Sequence, residues 1–448
     1  MRFFPLCDAL TENALFHISL KDLEWRHIIT AWQELCGTEL GCERVASLPF
    51  AENRAAAEER RDLVGEIRFL VRPRDAPTFS TLPPLTEITR RLDRGGTIKA
   101  ESLHNIMVQL SLAKDLKRLS DTEERPNYSK FVAPLDPMNH LYALLHESVD
   151  EQGEIRSSAS PELYGLRKRK AALHKELVGV LDGIMDRRNI APYLQDRFHT
   201  QREERFVLPI KSEFRSKVQG IIHGTSGSGQ TVFMEPQEVF TLNNRLKEIQ
   251  SEIEIEEYRI LARLGSAVAD STEVIRGNEE TLAELDAWNG AARLAEAMDG
   301  MPLTWSEVGE VDLHQARHPL LVLEGLEVVA NDLALERGKV LVITGPNGGG
   351  KTVTVKTAGL TYLMGRMGLF VPCGRNSAMP FFENVVTMIG DDQDIASHLS
   401  TFSAQLTNMR RVIETAGPGT LAVLDELAVG TDPSQGAVLA QAVLERLL

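Results

Sequence analysis

Val340-Leu-Val-Ile-Thr-Gly-Pro-Asn-Gly-Gly-Gly-Lys-Thr352 is the stretch that decides the fold of this chain. Its first five residues are apolar and mostly β-branched, which predicts a buried strand over Val340 to Thr344. Val353 to Met364 has the pattern of a helix. Strand, glycine loop and helix together are the setting in which a loop cradles phosphate. Glycines let successive backbone N–H groups turn inward around phosphate oxygens, and the helix N-terminus adds its dipole. Gly345, Pro346, Asn347, Gly348, Gly349, Gly350 and Val353 form the cradle. Lys351 offers an ammonium to the β- and γ-phosphates and Thr352 a hydroxyl to Mg²⁺.

About seventy residues on, Leu421-Ala-Val-Leu424 reads as a short buried strand that runs into Asp425-Glu426. Acidic residues commonly follow strands for solvation alone. Downstream of a phosphate loop they acquire chemical roles. Asp425 holds Mg²⁺, directly or through water, and Glu426 orients or deprotonates an attacking water.

With 448 residues, of which 43% are apolar, the chain is long enough for several domains and a large core. No apolar run is long enough to span a bilayer, and the start, Met1-Arg-Phe-Phe-Pro-Leu-Cys-Asp8, acquires acid too early for a secretory leader. Cys7, Cys36, Cys42 and Cys373 lack metal-type spacing and read as reduced thiols of a cytoplasmic protein. A net charge of −15 argues against a nucleic-acid coat protein, while leaving room for local basic segments.

Residues 1 to about 125 read as helices broken at prolines and at Gly95-Gly96, and 126–160 as loop-rich. Glu162 to Arg188 is a charged amphipathic helix. The period then changes: Arg205 to Lys211, Val218 to His223 and Thr231 to Met234 read as strands. Glu238 to about Met298 returns to long helices, so a small β tip sits between two helical arms. Gly224-Thr-Ser-Gly-Ser-Gly-Gln-Thr231 imitates a phosphate loop in its glycine spacing. It carries Gln230 in place of the lysine and continues as strand, so a hairpin turn is expected. Phe233-Met234-Glu235 imitates a base-stacking wedge, but its place beside the arms favours core packing.

Gly345 to Leu360, Met367 to Pro372, Ile389 to Met409 and Leu424 to Ala437 together resemble the ATPase domain of MutS-like proteins, and within them the bacterial paralogue MutS-two. His314 to Leu321, Val328 to Asp332, Arg205 to His223 and Leu282 to Asp286 extend the resemblance over nearly the whole chain. It implies an α/β P-loop (ABC-type) ATPase domain preceded by a mostly helical core and lever domain with a small β clamp. The expected blocks are a helical core over 1–160, lever helices over 161–302 with the clamp near 196–236, and the ATPase domain over 303–448.

The resemblance also implies a homodimer that binds and hydrolyses ATP with Mg²⁺, and a place in the mismatch-repair superfamily. It puts Ser400 and Thr401 in the signature segment that reaches the partner's γ-phosphate. Gln393 falls in the loop that senses metal and water, Thr431 and Asp432 at the dimer interface, and Val329 to Asn331 beside the adenine. The β tip becomes a DNA grip. Arg202, Arg205, Lys211, Arg215 and Lys217 are its phosphate contacts, with Arg167, Lys168, Arg169 and Lys170 on the preceding helix. Ala428-Val429 replaces the family's usual Gly-Ala. The family's next strand, its switch histidine and its C-terminal nuclease domain have no counterpart up to Leu448, so no nuclease activity is expected of these residues.

The expected function is a clamp on branched or recombining DNA that restrains recombination. Two other readings stay open: a ribosome-associated ATPase that rescues stalled ribosomes, and a truncated nucleotide-binding module without turnover.

Overall fold

The computed structural model describes residues 14–71, 79, 82–120, 124–346, 348–389, 401–427 and 432–448. Helices α1 (Ala14–Asp22), α2 (Trp25–Glu34), α3 (Glu39–Ser47) and α4 (Arg54–Val71) come first. Then follow α5 (Thr86–Asp93), α6 (Ala100–Arg118), α7 (Pro126–Val132), α8 (Asn139–Ser148) and the long α9 (Pro161–Met185). Strands β1 (Thr200–Arg202), β2 (Arg205–Lys211), β3 (Gly220–Thr225) and β4 (Thr231–Pro236) precede α10 (Phe240–Ala269) and α11 (Thr272–Ala297). The rest alternates: β5 (Thr304–Trp305), β6 (Val311–Ala316), α12 (Pro319–Leu323), β7 (Asn331–Leu335) and α13 (Lys351–Met367). It closes with β8 (Ala378–Met379), β9 (Asn384–Met388), α14 (Thr401–Thr415), β10 (Thr420–Leu424) and α15 (Pro433–Leu447).

Local chemistry fixes several of these ends. Thr38 caps α3 by accepting from the Gly41 N–H, and Ser160, followed by Pro161, caps α9 by accepting from Leu163. Asp432 does the same for α15 through Ser434. In α2, Trp25, Ile28 and Trp32 recur at helical spacing and form its buried face.

The chain packs as two compact units that interleave along the sequence. One comprises Met1–Pro84, Ser111–Asp136 and Gly277–Leu448, the other Leu85–Leu110 and Pro137–Arg276. Neither unit is a single consecutive stretch of sequence.

In the first unit, Leu23, Ile28 and Trp32 share a core with Trp288, with Leu360 and Leu363 of α13, with Val385 of β9, and with Leu421 and Val423 of β10. Strands β9 and β10 are parallel, Leu424 opposite Met388. A separate four-stranded sheet has the order β5-β8-β6-β7. Residues 340–344 correct the sequence reading. They are not a strand, and Val342 is 65% exposed. Among the described residues β10 pairs with β9 alone, and 340–344 joins no ladder.

The second unit has two cores. Helices α5, α6, α8, the start of α9 and α10 enclose one of them. The other lies under an antiparallel sheet of order β1-β2-β4-β3, packed on the end of α9 and the start of α10. β1, short and polar, went unread in the sequence. The glycine-rich segment 224–231 is the expected hairpin, closed by Ser226 N–H to the Thr231 carbonyl (2.8 Å) and Gly229 N–H to the Ser226 carbonyl (2.8 Å). No helix of the described residues is long and apolar enough to cross a membrane. Cys36 and Cys42 are half-buried and Cys373 is buried, all as free thiols.

Candidate functional site

Gly348 and Gly350 lie at φ 82° and 84°, in the left-handed region where a side chain would be strained, and they turn the loop into the first turn of α13. Gly350 is the N-cap and makes no side-chain cap bond, so the opening N–H groups of α13 point out of the helix with its dipole behind them. Lys351 folds its ammonium onto the carbonyls of Gly345 (3.0 Å) and Pro346 (2.9 Å). An ammonium has three donors, so this leaves one for an anion.

β10 delivers the acidic partner. The Asp425 N–H donates to the Met388 carbonyl at 2.8 Å, extending the β9–β10 ladder by one residue. Its carboxylate then accepts from the Thr352 hydroxyl at 2.5 Å through one oxygen and from the Glu426 N–H at 3.0 Å through the other. Glu426 itself is exposed and held at φ 50°, a backbone state rare for a glutamate. Asn331 opens β7, exposed, its amide donating to the Val329 carbonyl at 3.3 Å.

A hydroxyl, a carboxylate, an ammonium and an uncapped helix N-terminus therefore converge on one loop. Hard oxygen ligands beside a glycine loop that opens a helix fit a nucleoside triphosphate with a divalent cation. Asn347, Gln393, Ser400 and Thr431 lie outside the described residues, as do Ala428 and Val429.

The basic residues expected at the β tip divide. Arg205 is committed inside the fold: it donates to Glu235 (2.7 Å) and to Asn244 (2.8 Å). Glu235 is fully buried and also bonds His223 (2.6 Å) and Asn243 (2.9 Å). A buried carboxylate needs such partners, and Arg205 is its cationic one. The same observation places Glu235 of the wedge-like segment in the core. Arg202 stacks over Phe233, 4.4 Å from the ring centroid, and Lys211 donates to the Pro192 carbonyl. Arg215 and Lys217 are exposed. On α9, Arg167 pairs with Glu257 and Arg169 with Glu252, both on α10, while Lys170 donates to the uncharged amide of Gln250.

Sequence reading passed over Lys356 and His318. Lys356, on α13, pairs with Glu24 at 3.6 Å. His318 is buried, and that burial holds its pKa below the usual histidine value, with Glu24 opposing the shift and Lys356 adding to it. No local pattern joins positions 24, 318 and 356.

Residues 341–448 match the family MutS domain V. Over 431 residues the chain is 36% identical to Endonuclease MutS2 of Symbiobacterium thermophilum, covering 96% of this chain and 54% of that protein. It is 37% identical over 377 residues to Endonuclease MutS2 of Clostridium perfringens, covering 83% and 47%. With Endonuclease MutS2 of Pelotomaculum thermopropionicum the figures are 36% over 433 residues, 96% and 55%. The chain thus spans about half the length of these relatives. Along that shared length, the chain belongs to the MutS family as a MutS2-like member.

Proposed function

We propose that this chain is a DNA-associated ATPase that works as a homodimeric clamp on branched or recombining DNA and restrains recombination. The observation that carries the reading is the meeting of the Thr352 hydroxyl and the Asp425 carboxylate at the mouth of the glycine loop. Mg-ATP, when bound, supplies the transferable phosphoryl group and the divalent charge that neutralises it. Lys351 and the first N–H groups of α13 bind the phosphates, Thr352 and Asp425 hold the cation, and Asn331 lies by the base. Glu426 orients or deprotonates the water. Its exposed, left-handed position puts the carboxylate beyond the end of β10, where a water can reach it. Gln393 and Ser400 belong to this reading through the family resemblance, Ser400 acting across the dimer. Arg202, Lys211, Arg215 and Lys217 remain the phosphate contacts of the tip.

Purified chain is assayed for ATP binding and phosphate release, with Lys351→Met and Glu426→Gln beside it. The first variant loses binding, while the second keeps it and stops turnover. A Lys351→Met chain that binds ATP as the wild type does sinks the nucleotide site. Competition between a four-way DNA junction and intact ribosomes over a salt series tests the partner. Nucleotide-sensitive junction binding supports the clamp, and preference for ribosomes moves the function to translation.

A further inference from the structure

Three consecutive residues, the last of α1 and the two that join it to α2, touch both halves of the nucleotide site. Asp22 accepts from the Thr387 hydroxyl of β9 at 2.7 Å, two positions along the strand from where α1 already holds it through Ser19 to the Val385 carbonyl (3.1 Å). Leu23 is fully buried and lies so close to α13 that a Cβ on Gly359 would stand 2.6 Å and 2.9 Å from its two methyl carbons. Glu24 pairs with Lys356, one turn beyond Thr352 on the same helix.

Glu24 makes this contact from φ 56°, a left-handed conformation that suits glycine and strains a glutamate. An isolated, partly exposed ion pair contributes little to stability. A strained backbone kept at such a pair therefore points to a need for the carboxylate at that spot. β9 in turn carries the Met388 carbonyl that receives the Asp425 N–H, and α13 carries Thr352 in its first turn. The turn bridges the two elements whose relative register decides whether the Thr352 hydroxyl and the Asp425 carboxylate meet.

Resting on the nucleotide-site reading above, we propose that Asp22-Leu23-Glu24 is a positioning element for the cation end of that site. It holds α13 and β9 in register so that Thr352 and Asp425 act as one pair of ligands. Asp22, Glu24 and Lys356 are positioning residues: they act through α13 and β9, and in the structure none of the three hydrogen-bonds Thr352 or Asp425.

The test uses the full chain and a fluorescent ATP analogue, titrated with Mg²⁺ and again in EDTA, with a thermal melt of each variant. Glu24→Gly relieves the backbone and removes the carboxylate. It is expected to melt at or above the wild-type temperature and to lose about tenfold in Mg²⁺-dependent nucleotide affinity, the scale found for groups that orient metal ligands. Its binding in EDTA stays at the wild-type level. Lys356→Met repeats the loss, and exchanging the charges (Glu24→Lys with Lys356→Glu) restores much of it. Unchanged Mg²⁺ dependence in Glu24→Gly, while Thr352→Val loses it, overturns the positioning role and leaves the nucleotide site standing. A wild-type chain that binds no nucleotide overturns both.

Discussion

Replacing Arg205 by methionine will loosen the β tip without changing how the tip feels salt. Glu235 is fully buried, and Arg205 is its cationic partner at 2.7 Å. Breaking a wholly buried pair from one side costs about 3–5 kcal/mol. Two features lower that figure here. The Arg205 side chain is 25% exposed, and Glu235 keeps His223 and Asn243 as hydrogen-bond partners. The loss is therefore about 2–3 kcal/mol, with the stem of the methionine replacing the packing of the arginine stem. At about 1.4 kcal/mol per decade, this is roughly a 30- to 150-fold fall in hydrogen-exchange protection across β2 and β4. Local exchange is the right readout because it reports the opening of the tip itself rather than of the whole chain. The companion measurement is junction binding over a salt series. Removing one phosphate contact lowers the slope of log K against log salt by about 0.9 in duplex DNA. Lys217→Ala is expected to show that drop and Arg205→Met is not. A methionine variant with native exchange and a reduced slope would refute the assignment of Arg205 as a counter-ion.

Thr352→Val keeps the shape of the side chain and removes the hydroxyl that meets Asp425, so nucleotide binding in Mg²⁺ falls toward the level seen in EDTA, read by the same analogue titration. Gly359→Ala places a Cβ against Leu23 and costs about 1–3 kcal/mol by overpacking, visible as a lower melting temperature. His318 gives a pH dependence. Its folded pKa is depressed, so below about pH 6.5 the unfolded chain takes up a proton before the folded one does. Stability is complete above that pH and declines as pH falls through it; melts of His318→Gln between pH 5 and 8 will show a flatter acid limb than the wild type.

What could be read from sequence was local. The glycine loop, the helix after it and the hairpin at 224–231 declare themselves within a dozen residues, because turn chemistry and helical period need no distant partner. Strand β2 was legible for the same reason, as an apolar run between charged ends. Residues 340–344 misled because β-branched, apolar character signals a strand only when neighbours supply the ladder, and neighbours are a tertiary fact. Arg205 is the opposite case. A basic residue on a tip looks like a phosphate contact until its carboxylate, thirty positions on, is found buried beside it. The contact of Asp22-Leu23-Glu24 with α13 and β9 spans more than 330 positions and leaves no trace in periodicity or spacing.

The interleaving of the two units has a consequence for the making of the protein. The apolar faces of α1 and α2, with Leu23, Ile28 and Trp32, are buried partly by β9 and β10, which emerge more than 300 residues later. At roughly 5–20 residues per second of synthesis, these faces wait about 15–60 s for their partners. During that interval the 85–110 and 137–276 segments are complete and free to fold first, while the N-terminal helices remain on the nascent chain as exposed apolar surface. Early helper binding is therefore expected over residues 14–71, and amino-acid changes there that raise exposed hydrophobicity will lower yield before they alter the finished fold.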